Sequence, residues 1–286
     1  MRRLKESVCL LTGATGGIGR AVASALAHQG AKLVLTARTE KDLDDLAESL
    51  PAGSVRLVQA ADMTKSEDRL SLTAAAEIAN VDTLINLAGA NGLQSFERQN
   101  ESTQAHLLEL NLMAPMCLTH QMLPVLKMTK NPTILNVGST FGSIGFPGYA
   151  TYCASKFGLR GFSEALRREL AGRVRVLYIA PRTTKTTMNK GHVNALNQAL
   201  GNTEDEPSYV ANQIVSAIVK GRTNVILGWP EKLFARINQL MPSVVDRAIY
   251  KKLPKIQAIL SEVDPHCSAH NPQNTTMLNS VSLRQQ

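Results

Sequence analysis

The stretch "SVCLLTGATGGIGRAVASALA", Ser7–Ala27, decides the fold. An aliphatic run ends at Gly13, Gly17 and Gly19, and apolar residues at helical spacing follow directly. The same alternation continues down the chain. "AKLVLTA", "VRLVQAA", "VDTLINLAG", "PTILNVGS", "VRVLYIAP" and "TNVILG" read as further strands, and segments such as "EKDLDDLAESL" between them read as helices. Strands alternating with helices imply right-handed βαβ crossovers, hence an α/β fold with a doubly wound, seven-stranded parallel sheet. The strands are apolar nearly throughout, as expected when helices cover both faces.

The totals suit such a fold. The chain has 286 residues, 44% hydrophobic and 19% charged, which excludes wholesale disorder. Only 4% are aromatic, so the core is built mainly from Leu, Val, Ile and Ala. No apolar run approaches the roughly 18 residues of a membrane span. The N-terminus "MRRLKESVCLLTGATGG" looks superficially like a signal peptide. Its apolar run of about five residues ends in glycines and falls short of the roughly 7–15 of a true signal, so it reads as the first strand. Cys9, Cys117, Cys153 and Cys267 show neither CxxC nor metal-ligand spacing, which points to free thiols, no metal and a reducing, cytoplasmic setting. The net charge of +8 is spread without any block of five or six cations, which argues against nucleic acid.

After Gly228 the pattern changes. Residues 231–262 form a basic amphipathic extension with Leu233, Ile237, Leu240, Val244 and Ala248 at helical spacing and breaks at Pro242 and Pro254. Within 229–260 the cations Lys232, Arg236, Arg247, Lys251, Lys252 and Lys255 outnumber the acids Glu231 and Asp246. Such a segment either packs on its own domain or a second subunit, or attaches peripherally to an anionic membrane surface. Membrane attachment would favour a lipid-like substrate and a role in lipid metabolism. Residues 263–286 are polar and patternless, read as a disordered tail.

Glycines between a strand and a helix permit a tight turn and close approach of a pyrophosphate to the helix N-terminus, whose free N–H groups favour anions. About 20 residues on, the second strand ends in Ala37 and Arg38, where an NAD-binding chain carries an acid for the adenine ribose. Nothing there repels a 2′-phosphate and an arginine is present to bind one, which favours NADP(H). The alternative for Arg38 is a solvated loop cation. Farther along, "STFGSIGFPGYATYCASKFG" sets Tyr149 and Tyr152 seven and four residues before Lys156, so a helix allows either tyrosine on the lysine's side. A lysine ammonium beside a phenol lowers its pKa and makes it a usable general acid or base. Ser139 follows a strand at the carboxyl edge of the sheet, placed to hydrogen-bond a substrate carbonyl.

Together these motifs resemble the short-chain dehydrogenase/reductase family, over roughly residues 5–230. The matching motifs are T-G-x-x-x-G-x-G at Thr12–Gly19, N-x-A-G at Asn86–Gly89, and Y-x-x-x-K at Tyr152–Lys156 preceded by Ser139. The resemblance implies a Rossmann-type fold in which residues 1–230 form the NADP-binding catalytic domain, with a substrate lid at 182–207. It implies an oxidoreductase acting on CH–OH groups, reducing a small-molecule ketone or 3-oxoacyl-type carbonyl to an alcohol, and assembled as a homodimer or homotetramer. Ser139, Tyr152, Lys156 and Asn111 would form the catalytic tetrad, with Tyr152 rather than Tyr149 as acid/base. The cofactor would contact Gly13, Thr15, Gly16, Gly17, Ile18, Gly19, Arg38, Asp62, Met63, Asn86, Ala88, Gly89, Tyr152, Lys156, Pro181 and Thr186. Ser139, Tyr149, Tyr152 and Arg182 would meet the substrate.

Two positions depart from the family pattern. Leu87 replaces the second asparagine of N-N-A-G, and Arg182 replaces the glycine after Pro181. Arg182 either faces an anionic substrate group or points to solvent. In the lid, Met188, Val193, Leu196 and Leu200 suggest a partly apolar pocket, compatible with a 3-oxoacyl chain, a sterol or a smaller ketone. The rival reading of the chain is a catalytically silent NADP(H)-binding regulator or redox sensor, which would have no need of the full tetrad.

Overall fold

A computed structural model describes residues 4–263. The predicted tail, beyond its first residue, lies outside the described residues, as does Cys267. Seven strands form one parallel sheet: β1 (Val8–Thr12), β2 (Lys32–Ala37), β3 (Val55–Ala60), β4 (Thr83–Asn86), β5 (Thr133–Val137), β6 (Arg175–Ala180) and β7 (Asn224–Ile226). Their order is 3-2-1-4-5-6-7. The winding direction reverses between β1 and β4, where Leu11 pairs with Ile85, and the crossovers leave a crevice at the carboxyl ends of these strands.

The helices are α1 (Gly17–His28), α2 (Glu40–Ser49), α3 (Ser66–Ile78), α4 (Glu101–Leu108), α5 (Ala114–Lys127), α6 (Ala150–Glu169), α7 (His192–Leu200), α8 (Pro207–Lys220), α9 (Trp229–Leu240), α10 (Pro242–Tyr250) and α11 (Leu253–Val263). Successive strand residues point to opposite faces, and each central strand feeds two cores. Cys9 and Leu11 of β1, Leu33 and Leu35 of β2 and Leu177 and Ile179 of β6 pack with α1, α2 and α8. Val8, Leu10, Val34 and Val176 pack with α3, α5 and α6 on the other side. This double burial explains the uninterrupted apolar strands.

The C-terminal extension packs back on the domain. Ile256 of α11 joins Tyr149, Cys153 and Leu196 in a third, smaller core, and Asn238 of α9 donates to the Ser143 carbonyl at 3.0 Å. Three helices stand here, with Pro242 and Pro254 in the first turns of α10 and α11, where a missing N–H costs nothing. The predicted apolar stripe is divided: Leu233, Leu240 and Val244 are exposed, Ile237 and Ala248 are half-buried, and the buried anchors are Ala235 and Val245. Among the described residues no helix is long and apolar enough to cross a membrane.

Candidate active site

The crevice begins at the glycine turn. Thr12 Oγ1 accepts the N–H groups of Leu87 at 3.0 Å and Ala88 at 3.1 Å, tying the end of β4 to the turn. Gly13 has φ of +66°, and a Cβ there would stand 2.8 Å from Ala88 Cα, so only glycine fits. A Cβ on Gly17 would stand 2.8 Å from the Thr186 methyl, which shows how closely the turn approaches the chain after β6. Gly16 caps α1 without a side-chain hydrogen bond, and the first turn carries no acid. The free N–H groups of that turn face the crevice and suit a pyrophosphate. Leu87, in place of the expected asparagine, packs against the core beneath α1.

Arg38 stands exposed at the end of β2, lines the cavity and forms no ion pair among the described residues. Beyond β3, Asp62 Oδ1 accepts the Thr64 N–H at 3.0 Å and its hydroxyl at 2.7 Å. The Thr64 N–H holds the Asp62 carboxyl below its ordinary pKa, so the carboxylate is charged at neutral pH. Met63 beside it is buried and borders the same cavity. Asn86 turns its side chain into the sheet. Its amide donates to Thr119 Oγ1 at 3.1 Å and Asn136 Oδ1 at 2.8 Å, so its side chain is committed to a buried network and does not line the crevice. Gly19 likewise lies behind the turn, packed on the Gly13 carbonyl, while Thr15, Gly16, Ile18, Ala88, Gly89, Pro181 and Thr186 all line the cavity.

Between β5 and α6, Ser139 caps a single 3₁₀ turn, its Oγ accepting the Phe141 N–H at 3.2 Å. The Ser139 hydroxyl stands near the Tyr152 phenol and works against the rise in its pKa. Tyr152 and Lys156 lie in the first two turns of α6, and Lys156 Nζ sits 5.7 Å from the Tyr152 ring centroid while donating to the Val137 carbonyl at 3.4 Å. The electrostatics differ from the sequence expectation. Burial pushes the Tyr152 phenol up to about 12, against the opposing Ser139 hydroxyl. Burial also pulls Lys156 down to about 8. The ammonium lies over the ring, and desolvation is the larger influence on the phenol. Tyr149 packs 4.9 Å from the Phe141 ring and 5.8 Å from the Tyr152 ring, and burial raises its phenol above the ordinary range.

Asn111 lies in a π-helical turn, Glu109–Met113, joining α4 to α5. That turn aims its amide at Ala90, whose N–H it accepts at 2.9 Å and whose carbonyl it meets at 3.0 Å, with Ser155 Oγ at 3.2 Å. A Cβ on Gly89 would stand 2.8 Å from Asn111 Oδ1 and 3.5 Å from Lys156 Nζ, so these three positions are neighbours.

Arg182 resolves differently from both sequence alternatives. It lines the same cavity as Ser139 and Tyr152, but its charge is paired within the protein. Its guanidinium bonds Asp205 Oδ1 at 2.7 Å and lies 3.6 Å from Glu231 Oε2. It thereby joins the chain after β6 to the start of α8 and to α9. Met188, Val193, Leu196 and Leu200 of the predicted lid all line one cavity of about 630 Å³ with the residues above. The lid contains α7, and Asn189 Oδ1 accepts from Asn91 Nδ2 at 3.1 Å across the cleft. Sequence reasoning missed the opposite wall. Phe141, Phe146, Phe234, Val245, Ala248 and Ile249 also line the cavity, so α9 and α10 roof it. The aromatic run near Ser139 was a usable signal for the first two. The roof had none, since it arises from contacts distant in sequence.

Comparison with known proteins agrees with this geometry. A family model described as short chain dehydrogenase matches residues 7–197. The 3-oxoacyl-(acyl-carrier-protein) reductase FabG of Escherichia coli (strain K12) is 33% identical over 184 residues, covering 64% of this chain and 75% of that protein. A short chain dehydrogenase from Burkholderia cenocepacia J2315 in complex with NADP is similar at a TM-score of 0.76, covering 87% of this chain and 99% of the other at 23% identity. A 3-ketoacyl-(acyl-carrier-protein) reductase from Brucella melitensis complexed with NADH gives a TM-score of 0.72, covering 78% and 96% at 24% identity. At those identities the two structures speak for the fold alone.

Proposed function

The chain belongs to the short chain dehydrogenase family, and from that premise we propose that it is an NADP(H)-dependent reductase of ketone or 3-oxoacyl-type carbonyls. One observation carries the reading: the Tyr152 phenol, near Ser139 and with Lys156 over its ring, stands in the same cavity as the glycine turn. The residues fit a nicotinamide dinucleotide. The turn at Gly13–Gly17 and the uncapped start of α1 would hold the pyrophosphate. Asp62 and Met63 would border the adenine, Lys156 the nicotinamide ribose, and Pro181 and Thr186 the carboxamide end. Solved relatives include one with NADP and one with NADH, so the choice of NADP rests on Arg38, unpaired where an acid would exclude a 2′-phosphate.

When bound, the reduced nicotinamide supplies the hydride. Ser139 Oγ holds the substrate oxygen, and Tyr152 donates the proton as negative charge develops there. At neutral pH the Tyr152 phenol carries the proton that the reductive direction requires. Lys156, still mostly protonated at pH 7, lies where it would stabilise the phenolate left behind. Asn111 positions the Ala90 backbone beside Lys156. The apolar lining under lid and roof favours a substrate with a hydrocarbon body. Assembly as a homodimer or homotetramer, through long helices including α6 with its exposed Phe157, belongs to the same proposal.

The test is NADPH consumption by purified protein against short and long 3-oxoacyl thioesters, sterol ketones and small ketones. Turnover on one class is expected, and Tyr152→Phe should abolish it while leaving NADPH affinity within about fivefold, because one phenolic hydrogen bond is worth about 1 kcal/mol. Undiminished turnover in that variant would overturn the assignment.

A further inference from the structure

Helix α9 carries an apolar face that points away from the fold. At 3.6 residues per turn, Trp229, Leu233 and Leu240 fall on one side of α9, across the helix from Ala235, which is buried against the domain. They are 74%, 46% and 82% exposed. A helix packed on a globular domain normally turns charged residues outward, so an apolar outward face marks a contact surface. Arg236 and Lys232 flank the stripe along α9. Met241 between α9 and α10, and Val244 and Tyr250 on α10, are exposed as well; Arg247 and Lys251 are exposed near them, while Lys252 borders the cavity and Lys255 Nζ donates to the Ala199 carbonyl at 3.5 Å.

We propose that this face docks on an anionic phospholipid bilayer. Tryptophan beside aliphatic side chains with a rim of lysine and arginine is the composition that lies in the bilayer interface, the ring at headgroup level and the cations against anionic lipid. A second copy of the chain fits less well, because protein–protein interfaces are depleted in lysine and this border is lysine-rich. Of the two acids in the stretch, Glu231 is turned inward toward Arg182, leaving Asp246 alone against six cations. The net charge of +8 adds attraction of the same sign. The helices need no partner in order to fold, since Ala235, Val245 and Ile256 anchor their inner sides. Their inner sides also line the cavity through Pro230, Phe234, Ala248 and Ile249, so docking would set the cavity wall against the lipid.

Trp229 is the only tryptophan in the chain, so its fluorescence reads the contact directly. The full chain is titrated with phosphatidylcholine vesicles, with and without phosphatidylserine, and co-sedimentation is measured in parallel. The expected result is a blue shift of Trp229 emission and co-sedimentation with the phosphatidylserine vesicles, both weakened by added salt. Leu233→Glu with Leu240→Glu, at exposed positions, should retain the wild-type circular dichroism and melting temperature while lowering vesicle partitioning about a hundredfold. An unshifted spectrum with no co-sedimentation overturns the proposal. So does light scattering in which the double variant splits an oligomer while wild-type protein ignores both vesicle types, a result that assigns the face to a second copy.

Discussion

Arg182→Met removes the guanidinium that links the chain after β6, the start of α8 and α9. Its partner Asp205 is 7% exposed at the side chain and would be left as a carboxylate with little access to water. Breaking one side of a buried ion pair costs about 3–5 kcal/mol. Arg182 at 17% and Glu231 at 26% exposure are partly wetted, which moves the expectation to the lower end, about 3 kcal/mol. For 286 residues at about 2.1 cal/mol/K each, the unfolding entropy is about 0.6 kcal/mol/K, so the loss corresponds to roughly 5 °C in Tm. The cluster is imperfectly satisfied: Arg182 Nε, Asp205 Oδ2 and Glu231 Oε2 find no hydrogen bond among the described residues. Its net contribution is therefore small although its disruption is costly, and removing charge from both sides should restore stability. Arg182→Met combined with Asp205→Asn is expected to recover at least half of the lost Tm, with a coupling energy of about 2 kcal/mol in a double-mutant cycle. Thermal melts and urea titrations of the four proteins measure it. A single variant within 1 °C of wild type, on the scale of about 0.6 kcal/mol, or strictly additive losses in the double variant, would refute the reasoning.

Two further outcomes are expected. Arg38→Asp should weaken NADPH binding at least about tenfold and leave NADH binding nearly unchanged, since charge-assisted bonds to a 2′-phosphate contribute about 1.5–3 kcal/mol; equal losses in isothermal titrations would reassign Arg38 to the solvent. Lys156 makes the cofactor-free protein's stability rise with pH. Its folded value of about 8 lies below the ordinary 10.5, so the unfolded chain binds that proton more tightly, and the penalty present below pH 8 is relieved between pH 8 and 10.5. Lys156→Met should accordingly melt higher than wild type at pH 7, with the gain shrinking by pH 10; a pH-independent difference would contradict the burial account.

Signals confined to neighbouring residues were legible throughout the strands. Each of the seven sheet segments appears as an apolar run between turn residues, and double burial by helices is the reason those runs lack alternation. Gly13 was legible because its positive φ and its contact with Ala88 leave no room for another residue. Asn86 was read as a cofactor contact from its place in a motif; the turn of its amide toward Thr119 and Asn136 was not legible, since those partners come from α5 and β5. The helical stripe through Leu233 and Leu240 was a true periodicity whose partner stayed open between domain, second subunit and membrane, because periodicity reports that a face exists and not what lies against it.

The amino-acid sequence by itself determined the α/β class, the seven strands and the glycine turn. All of these follow from dihedral preference and residue spacing within a few turns of chain. Only the tertiary structure decided that Arg182 meets Asp205 and Glu231, that α9 and α10 roof the cavity, and that burial raises the Tyr152 phenol despite the neighbouring lysine. Ion pairing and desolvation depend on which distant segments exclude water from a group, and that is settled when the chain packs.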